Sequence, residues 1–216
     1  MGIFITFEGV DGTGKTTQVD IISRKLSDKF SGTKTIVQTR APGATRIGKL
    51  IRELVMNPEN KDICSEAEIL LMAADMAQMT KEIIAPAFNN HDKIIISDRF
   101  FDSTYAYQGG GRGHDTQTLL NSVRIATGGI VPDITILLDF SAKSLEDATD
   151  SAISRMESSP KTKARFELEH KDFFKRVISM YRKLAASMPD RIFIVNADQP
   201  IENVSEDIMS IINSKI

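Results

Sequence analysis

A single cysteine, Cys64, stands in the whole chain, so neither an intramolecular disulfide framework nor a multi-cysteine zinc site can form; the residue reads as structural. Tryptophan is absent, and His91, His114 and His170 are scattered without metal-ligand spacing, as surface or loop residues would be. No apolar run approaches the ~20 residues of a membrane span. The opening Met1-Gly2-Ile3-Phe4-Ile5-Thr6-Phe7 lacks a basic start and meets Glu8 too soon for a signal peptide. Charge of neither sign dominates: 27 basic and 29 acidic residues give a net charge of −2. That balance argues against a protein that coats nucleic acid or an anionic membrane, while leaving room for a local basic site. With 216 residues, 41% of them apolar and 26% charged, the chain can bury a core as one domain over 1–216. The expectation is a cytoplasmic protein that partners neither nucleic acid nor membrane.

No internal repeat or linker divides the sequence. Short β-rich runs alternate with longer stretches of helical period, the pattern of an α/β fold with a mainly parallel sheet flanked by helices. The expected strands are Ile3–Phe7, Thr35–Gln38, Lys93–Ser97, Ile134–Asp139 and Ile192–Val195. Ile94-Ile95-Ile96 and Ile134–Leu138 are continuous apolar runs, as parallel strands covered on both faces require. Helices are expected over Lys15–Phe30, Ile47–Met56, Ser65–Phe88, Asp115–Thr127, Ser144–Met156, Leu168–Ser187 and Ile201–Asn213. Ser65-Glu66-Ala67-Glu68 resembles a capping start, Pro200 suits a first helical turn, and Pro86 should end or kink its helix near Ala85.

Between the first strand and first helix lies Gly9-Val10-Asp11-Gly12-Thr13-Gly14-Lys15-Thr16-Thr17, a complete G-x-x-x-x-G-K-[ST] phosphate loop. Gly9, Gly12 and Gly14 let the backbone curl so that successive N–H groups face one centre, and the helix N-terminus adds donors and partial positive charge. Lys15 supplies a mobile charge for the β- and γ-phosphates, and Thr16 a hydroxyl for Mg²⁺. Asp11 would oppose phosphate inside the loop and is expected to turn toward a sugar hydroxyl. The signal is for a nucleoside triphosphate and does not by itself separate kinase, GTPase and ATPase.

Arg40 and Arg99 each follow a strand, so both should reach the crevice at the carboxyl ends of the sheet, where a guanidinium can grip a second phosphate. Each could equally serve as a surface salt-bridge arginine. Asp98 sits where a carboxylate could hold Mg²⁺ through water and orient Arg99, and it could also cap a following helix at Phe101–Tyr105.

Taken together, these segments resemble the thymidylate kinases, nucleoside monophosphate kinases of the phosphate-loop superfamily, over nearly the whole chain. Phe7–Thr17 is similar to the family's opening, Thr39-Arg40-Ala41-Pro42-Gly43-Ala44-Thr45 to its T-R-E-P-G-G-T loop, and Asp98-Arg99-Phe100…Ser103…Ala106-Tyr107-Gln108-Gly109…Arg112-Gly113 to its D-R-[YF]-x-x-S-x-x-A-Y-Q-G-x-x-R-G block. Pro132-Asp133, Leu138-Asp139, Arg165-Phe166-Glu167 and Phe173-Phe174 resemble later family segments. The resemblance implies a five-stranded phosphate-loop kinase fold and the reaction ATP + dTMP → ADP + dTDP with Mg²⁺. It places Arg40 and Arg99 on the monophosphate, Asp11 on the deoxyribose 3′-hydroxyl, Ser103 and Gln108 on the thymine edge, and Tyr105 against the sugar. It also implies a homodimer.

Where some members carry an arginine within the phosphate loop this chain has Gly12, so it resembles the bacterial type, in which a mobile lid supplies the charge. The lid corresponds to residues 155–165, with Arg155 the leading candidate for the transition-state charge and Lys161, Lys163 and Arg165 behind it. Two departures concern the base. Where members show F-A-A-D-R-A-Q, this chain has Met72-Ala73-Ala74-Asp75-Met76-Ala77-Gln78. Met72 can still pack on a base face through its sulfur, but Met76 cannot donate a hydrogen bond. Losing a charged donor to a buried acceptor costs about 1.5–3 kcal/mol. Both methionines would equally suit an apolar helix core. Alternative readings are therefore a kinase for another deoxynucleoside monophosphate, or a nucleotide-binding homologue of weak activity.

Overall fold

In the computed structural model, which describes residues 1–141, 143–158 and 164–216, the apolar runs pair as one parallel sheet. Its strands are β1 (Ile3–Glu8), β2 (Thr35–Arg40), β3 (Lys93–Asp98), β4 (Ile134–Asp139) and β5 (Ile192–Asn196), in the order β2-β3-β1-β4-β5. Helices α1 (Lys15–Lys29), α2 (Arg46–Met56), α3 (Ser65–Met79), α4 (Ala85–Phe88), α5 (Phe101–Thr104), α6 (Thr116–Thr127), α7 (Leu145–Glu157), α8 (Lys171–Ser187) and α9 (Ile201–Asn213) cover it.

Alternate side chains of each strand leave opposite faces, which builds two cores. Ile5 and Phe7 of β1 with Ile94 and Ile96 of β3 pack on one side against α1, α8 and α9 through Ile22, Val177 and Ile208. Phe4 and Ile95 point the other way, onto Met76, Met79, Phe100 and Val123 of the α3 and α6 layer. The register sets Asp98 beside both Phe7 and Arg40, so the carboxyl ends of the three neighbouring strands open at one level.

Four local expectations need correction. The helix holding Pro86 neither stops nor breaks at Ala85: Thr80–Ile84 widen into a π turn, and the chain runs on through α4, with Pro86 near the start of a fresh turn where its missing N–H costs nothing. Ser65 does not cap α3; Cys64 is the N-cap, exposed and without a side-chain capping hydrogen bond, its carbonyl accepting from the Glu68 N–H at 2.9 Å. Leu168 belongs to a separate 3₁₀ turn (Arg165–Leu168), after which extended backbone at Glu169 and His170 precedes α8. Pro200 stands one residue outside α9, as its N-cap. Of the lid segment, Lys161 and Lys163 lie outside the described residues.

Candidate active site

The phosphate loop folds from β1 into α1 as its glycines dictate. Gly9 has φ 131°, and a Cβ there would strike the Leu138 carbonyl of β4; Gly12 has φ 84°, and its Cβ would lie 3.0 Å from that of Arg155. Lys15 is buried, its ammonium donating to the Val10 carbonyl at 2.8 Å and lying 3.6 Å from the Asp11 carboxylate. Burial and the nearby Arg99 guanidinium lower its pKa. The loop opens on a cavity of about 1010 Å³, shared by Asp11, Gly12, Gly14, Lys15, Thr16 and Thr17 with the ends of β2 and β3. Gly9, Val10 and Thr13 are outside its lining: Val10 is core, and the Thr13 hydroxyl holds the loop by donating to the Val10 carbonyl at 2.8 Å.

Thr16 and Asp98 come together as expected of a hard-cation site, the hydroxyl donating to the carboxylate at 2.7 Å on the cavity wall. Among the described residues, no three His, Cys, Asp or Glu side chains gather elsewhere as a metal cluster. A hydroxyl and a carboxylate beside a phosphate loop suit Mg²⁺, which takes oxygen ligands and keeps several waters.

Arg40 and Arg99 both face this cavity. Arg40 is exposed at the mouth, whereas the Arg99 side chain is only 14% exposed and held from two sides. One amino group donates to Asp11 (2.8 Å) and the Tyr107 hydroxyl (3.2 Å), the other to the hydroxyls of Ser103 (3.1 Å) and Tyr181 (3.2 Å). Its backbone is left-handed, φ 74°, a conformation rarely adopted outside glycine and fixed here by the Arg99 N–H donating to Phe7 O at 2.9 Å. Burial would raise the Asp11 pKa, but Arg99 and Lys15 hold it well below the usual carboxylate range. Asp11 thus stands between the Lys15 ammonium and the Arg99 guanidinium.

Behind Arg99 stands Glu8, fully buried. Its carboxylate accepts from the Phe100 N–H (2.7 Å), Ser103 Oγ (2.6 Å) and the Tyr181 hydroxyl (2.8 Å). Two hydroxyls therefore separate the buried Glu8 carboxylate from the Arg99 guanidinium at the cavity wall. Burial, and then the Asp102 charge, push the Glu8 pKa up from 4.5 to about 7. Between those values the folded chain keeps a proton that the unfolded chain has released, so stability falls as pH rises through the interval. Asp75, raised by burial from 3.8 to about 6, acts in the same direction at lower pH. From about pH 6 to about pH 8, Glu8 should therefore cost the native protein about 1 kcal/mol, or about 2–4 °C in Tm. Glu8→Gln should flatten that slope in thermal melts; an unchanged slope would reject the assignment.

The structure adds residues that sequence reasoning passed over. Arg52 of α2 lines the cavity, donates to the Pro42 carbonyl at 3.0 Å, and has its pKa lowered by burial and by Arg40 and Arg99, marking a third guanidinium near the acceptor end. Asp75 accepts the Gly43 N–H at 2.9 Å, fastening the loop after Arg40 to α3. Thr104 also lines the cavity.

Tyr105 is misplaced in the sequence reading. It is half-buried, lies edge-on to Phe101 with ring centroids 6.2 Å apart, and is outside the cavity lining. Tyr107 lines the cavity instead, because on a helix it is the residue four after Ser103 that shares its face. The same spacing from Thr104 brings Gln108 to the wall, and the helical signal that could have found Tyr107 was available. Met72 and Met76 both line the cavity, and Met76 is at once part of the α3 core, so the two readings of it coincide.

Arg155 also reaches the cavity, its Cβ against the phosphate loop. Its guanidinium stacks over Phe140 at 4.8 Å and donates to Ala197 O (3.1 Å) and Asp198 (3.2 Å). Arg165 is no lid cation: it is buried, donating to Glu68 at 2.7 Å and to Val55 O at 2.8 Å, because Glu68 needs a counter-charge inside the protein.

An open parallel sheet, a curled phosphate loop, and guanidinium groups lining the cavity on which it opens define a phosphate-loop protein arranged for two phosphorylated ligands. The thymidylate kinase family profile matches residues 7–208, and the chain belongs to that family. A thymidylate kinase from Maridesulfovibrio salexigens is 42% identical over 216 residues, covering 99% of this chain and 96% of the relative. One from Pelotomaculum thermopropionicum is 40% identical over 208 residues, covering 96% and 91%. The crystal structure of thymidylate kinase from Ehrlichia chaffeensis has a TM-score of 0.76 and 28% identity, with 98% of each chain covered.

Proposed function

We propose that the cavity seats ATP and dTMP end to end, and that the chain transfers the γ-phosphoryl group of ATP to dTMP, giving ADP and dTDP. The enzyme is a nucleoside monophosphate kinase. The observation that carries this reading is that Lys15 and the Arg40, Arg52 and Arg99 group line one cavity, with Asp11 held between Lys15 and Arg99. Phosphoryl transfer asks the protein mainly for in-line alignment and positive charge. On this reading the loop from Gly9 to Thr17 holds the triphosphate, Lys15 follows charge onto the bridging oxygens, and the three arginines hold the acceptor phosphate. Thr16 and Asp98 would hold Mg²⁺, which when bound offsets phosphate charge. Asp11 and Tyr107 lie beside the sugar, Ser103 and Gln108 nearer the base, and Met72 and Met76 against its face.

The whole chain acts as one kinase domain, with a lid that begins at Arg155 and ends before the buried Arg165. Arg155 reaches the transferring group by leaving Asp198. That pair is 40% and 39% exposed, so solvent screens it and its parting opposes the movement little; the bond to Ala197 O and the stacking on Phe140 are given up with it. Exposed Leu70 on α3 and Leu50 and Leu54 on α2 offer the faces of a homodimer. Among the described residues no helix is long and apolar enough to cross a membrane, and we place the reaction in the cytoplasm.

A coupled ADP-release assay with ATP and Mg²⁺ across dTMP, dUMP, dCMP and dGMP tests the reading; dTMP no better than the others would overturn it. Met76 leaves the base without a charged donor. Met76→Arg should lower KM for dTMP about tenfold, the value of one charge-assisted hydrogen bond. If the variant instead lowers activity on dTMP while another monophosphate remains the better substrate, the native substrate is that other one.

A further inference from the structure

Glu68 lies one helical turn before Met72 on α3 and is 1% exposed. Its carboxylate gathers three donor side chains, Gln108 Nε2 at 3.0 Å, Arg112 Nε at 3.1 Å and Arg165 Nη2 at 2.7 Å, with Arg112 Nη2 at ion-pair distance, 3.0 Å. Glu169 closes the group on Arg112 at 2.7 Å. Burial alone would raise the Glu68 pKa, but the hydrogen bonds from Arg112, Gln108 and Arg165 hold it low, so the group is an ionised acceptor. A carboxylate has only lone pairs to offer, so Gln108 can turn only its NH₂ end toward it. The carboxamide oxygen is then the free end of a side chain that lines the cavity.

We infer that Glu68 is a positioning residue for base selection: by pinning the NH₂ end of Gln108 it leaves a carbonyl oxygen to meet the base, an acceptor that suits a pyrimidine carrying N3–H and opposes one whose N3 is itself an acceptor. The inference rests on dTMP being the substrate and names what distinguishes it from a cytosine nucleotide. Met72 and Met76 present no donor on the same wall, and the Ser103 hydroxyl is already donated to Glu8 at 2.6 Å, so in this chain the discrimination falls on the Gln108 amide.

The test compares kcat/KM for dTMP and 5-methyl-dCMP, which share the methyl group, sugar and phosphate and differ only along the N3–C4 edge. The wild-type enzyme should prefer dTMP by about 10²-fold or more, since the wrong base sets acceptor against acceptor. Glu68→Gln can face Gln108 with either end of its own amide, so the ratio should fall at least about tenfold. Because that change removes the counter-charge of Arg112 and Arg165, Glu68→Asp is the companion variant: it keeps the charge, withdraws from Gln108, and should lower the ratio too. Arg165→Lys, which leaves the Glu68–Gln108 bond alone, should lower Tm and leave the ratio unchanged. In the wild-type protein, the Gln108 side-chain amide protons, assigned by their loss in Gln108→Leu, should exchange slowly by NMR. An unchanged ratio in a folded Glu68 variant, fast exchange, or a wild-type enzyme indifferent to the two bases would each overturn the inference. A wild-type enzyme inert on dTMP would instead remove the functional reading beneath it.

Discussion

Lys15→Ala should slow phosphoryl transfer by about 10³-fold or more while leaving dTMP binding nearly intact. The ammonium is buried and parked on the Val10 carbonyl at 2.8 Å, inside the loop that would receive the triphosphate. Held there, it is already stripped of water, so moving onto phosphate oxygens exchanges one protein acceptor for a charged one without fresh desolvation. The stabilisation grows as charge develops on the transferring group, which places its loss in kcat more than in KM. The fold has little stake in the residue, since Asp11 keeps Arg99 as its partner at 2.8 Å when Lys15 is removed. Steady-state kinetics at saturating nucleotides, with a thermal melt beside them, check this. A variant whose kcat stays within tenfold of wild type would show that the loop backbone alone carries the charge.

Much of this architecture was readable without coordinates, for local reasons. An isoleucine triplet such as Ile94-Ile95-Ile96 must be covered on both faces, and all three residues are fully buried in β3. The phosphate loop is a run of neighbours, so its spacing and its geometry are one fact. The strand ends followed: Arg40 and Asp98 face each other across β2 and β3. What stayed hidden depends on residues far apart in the chain. Tyr181 reaches Glu8 across 173 positions and Arg99 across 82, and Arg165 reaches Glu68 across 97. No helical or strand period predicts such pairings. Glu8 itself stood inside the quoted opening, but nothing in its neighbours announced that two hydroxyls would stand between it and a guanidinium. Arg165 read as a lid cation because composition cannot tell a solvated charge from one answering a buried carboxylate.

Arg99 joins catalysis to stability, and replacing it should damage both in separable ways. Arg99→Lys keeps the charge and loses the fork. A lysine cannot serve Asp11 and Tyr107 with one amino group while serving Ser103 and Tyr181 with another. The acceptor phosphate would then meet a mobile point charge, and kcat/KM for dTMP should fall about 10²–10³-fold with KM for ATP little changed. Arg99→Met removes the charge as well. Asp11 then retains Lys15 at 3.6 Å and the Tyr107 hydroxyl at 3.4 Å, and Glu8 faces its two hydroxyls without the guanidinium behind them. Taking the cation from beside buried Glu8 and part-exposed Asp11 costs less than breaking a fully buried pair, about 2–3 kcal/mol, or about 5–10 °C in Tm for a chain of this size. Lowering the pH should recover part of that loss in the methionine variant, because protonating Glu8 relieves the uncompensated charge. The lysine variant, with its cation in place, should recover less. Equal stability of the two variants at all pH values would mean that the guanidinium serves the substrate alone, and that the buried acids around it are balanced by something other than Arg99.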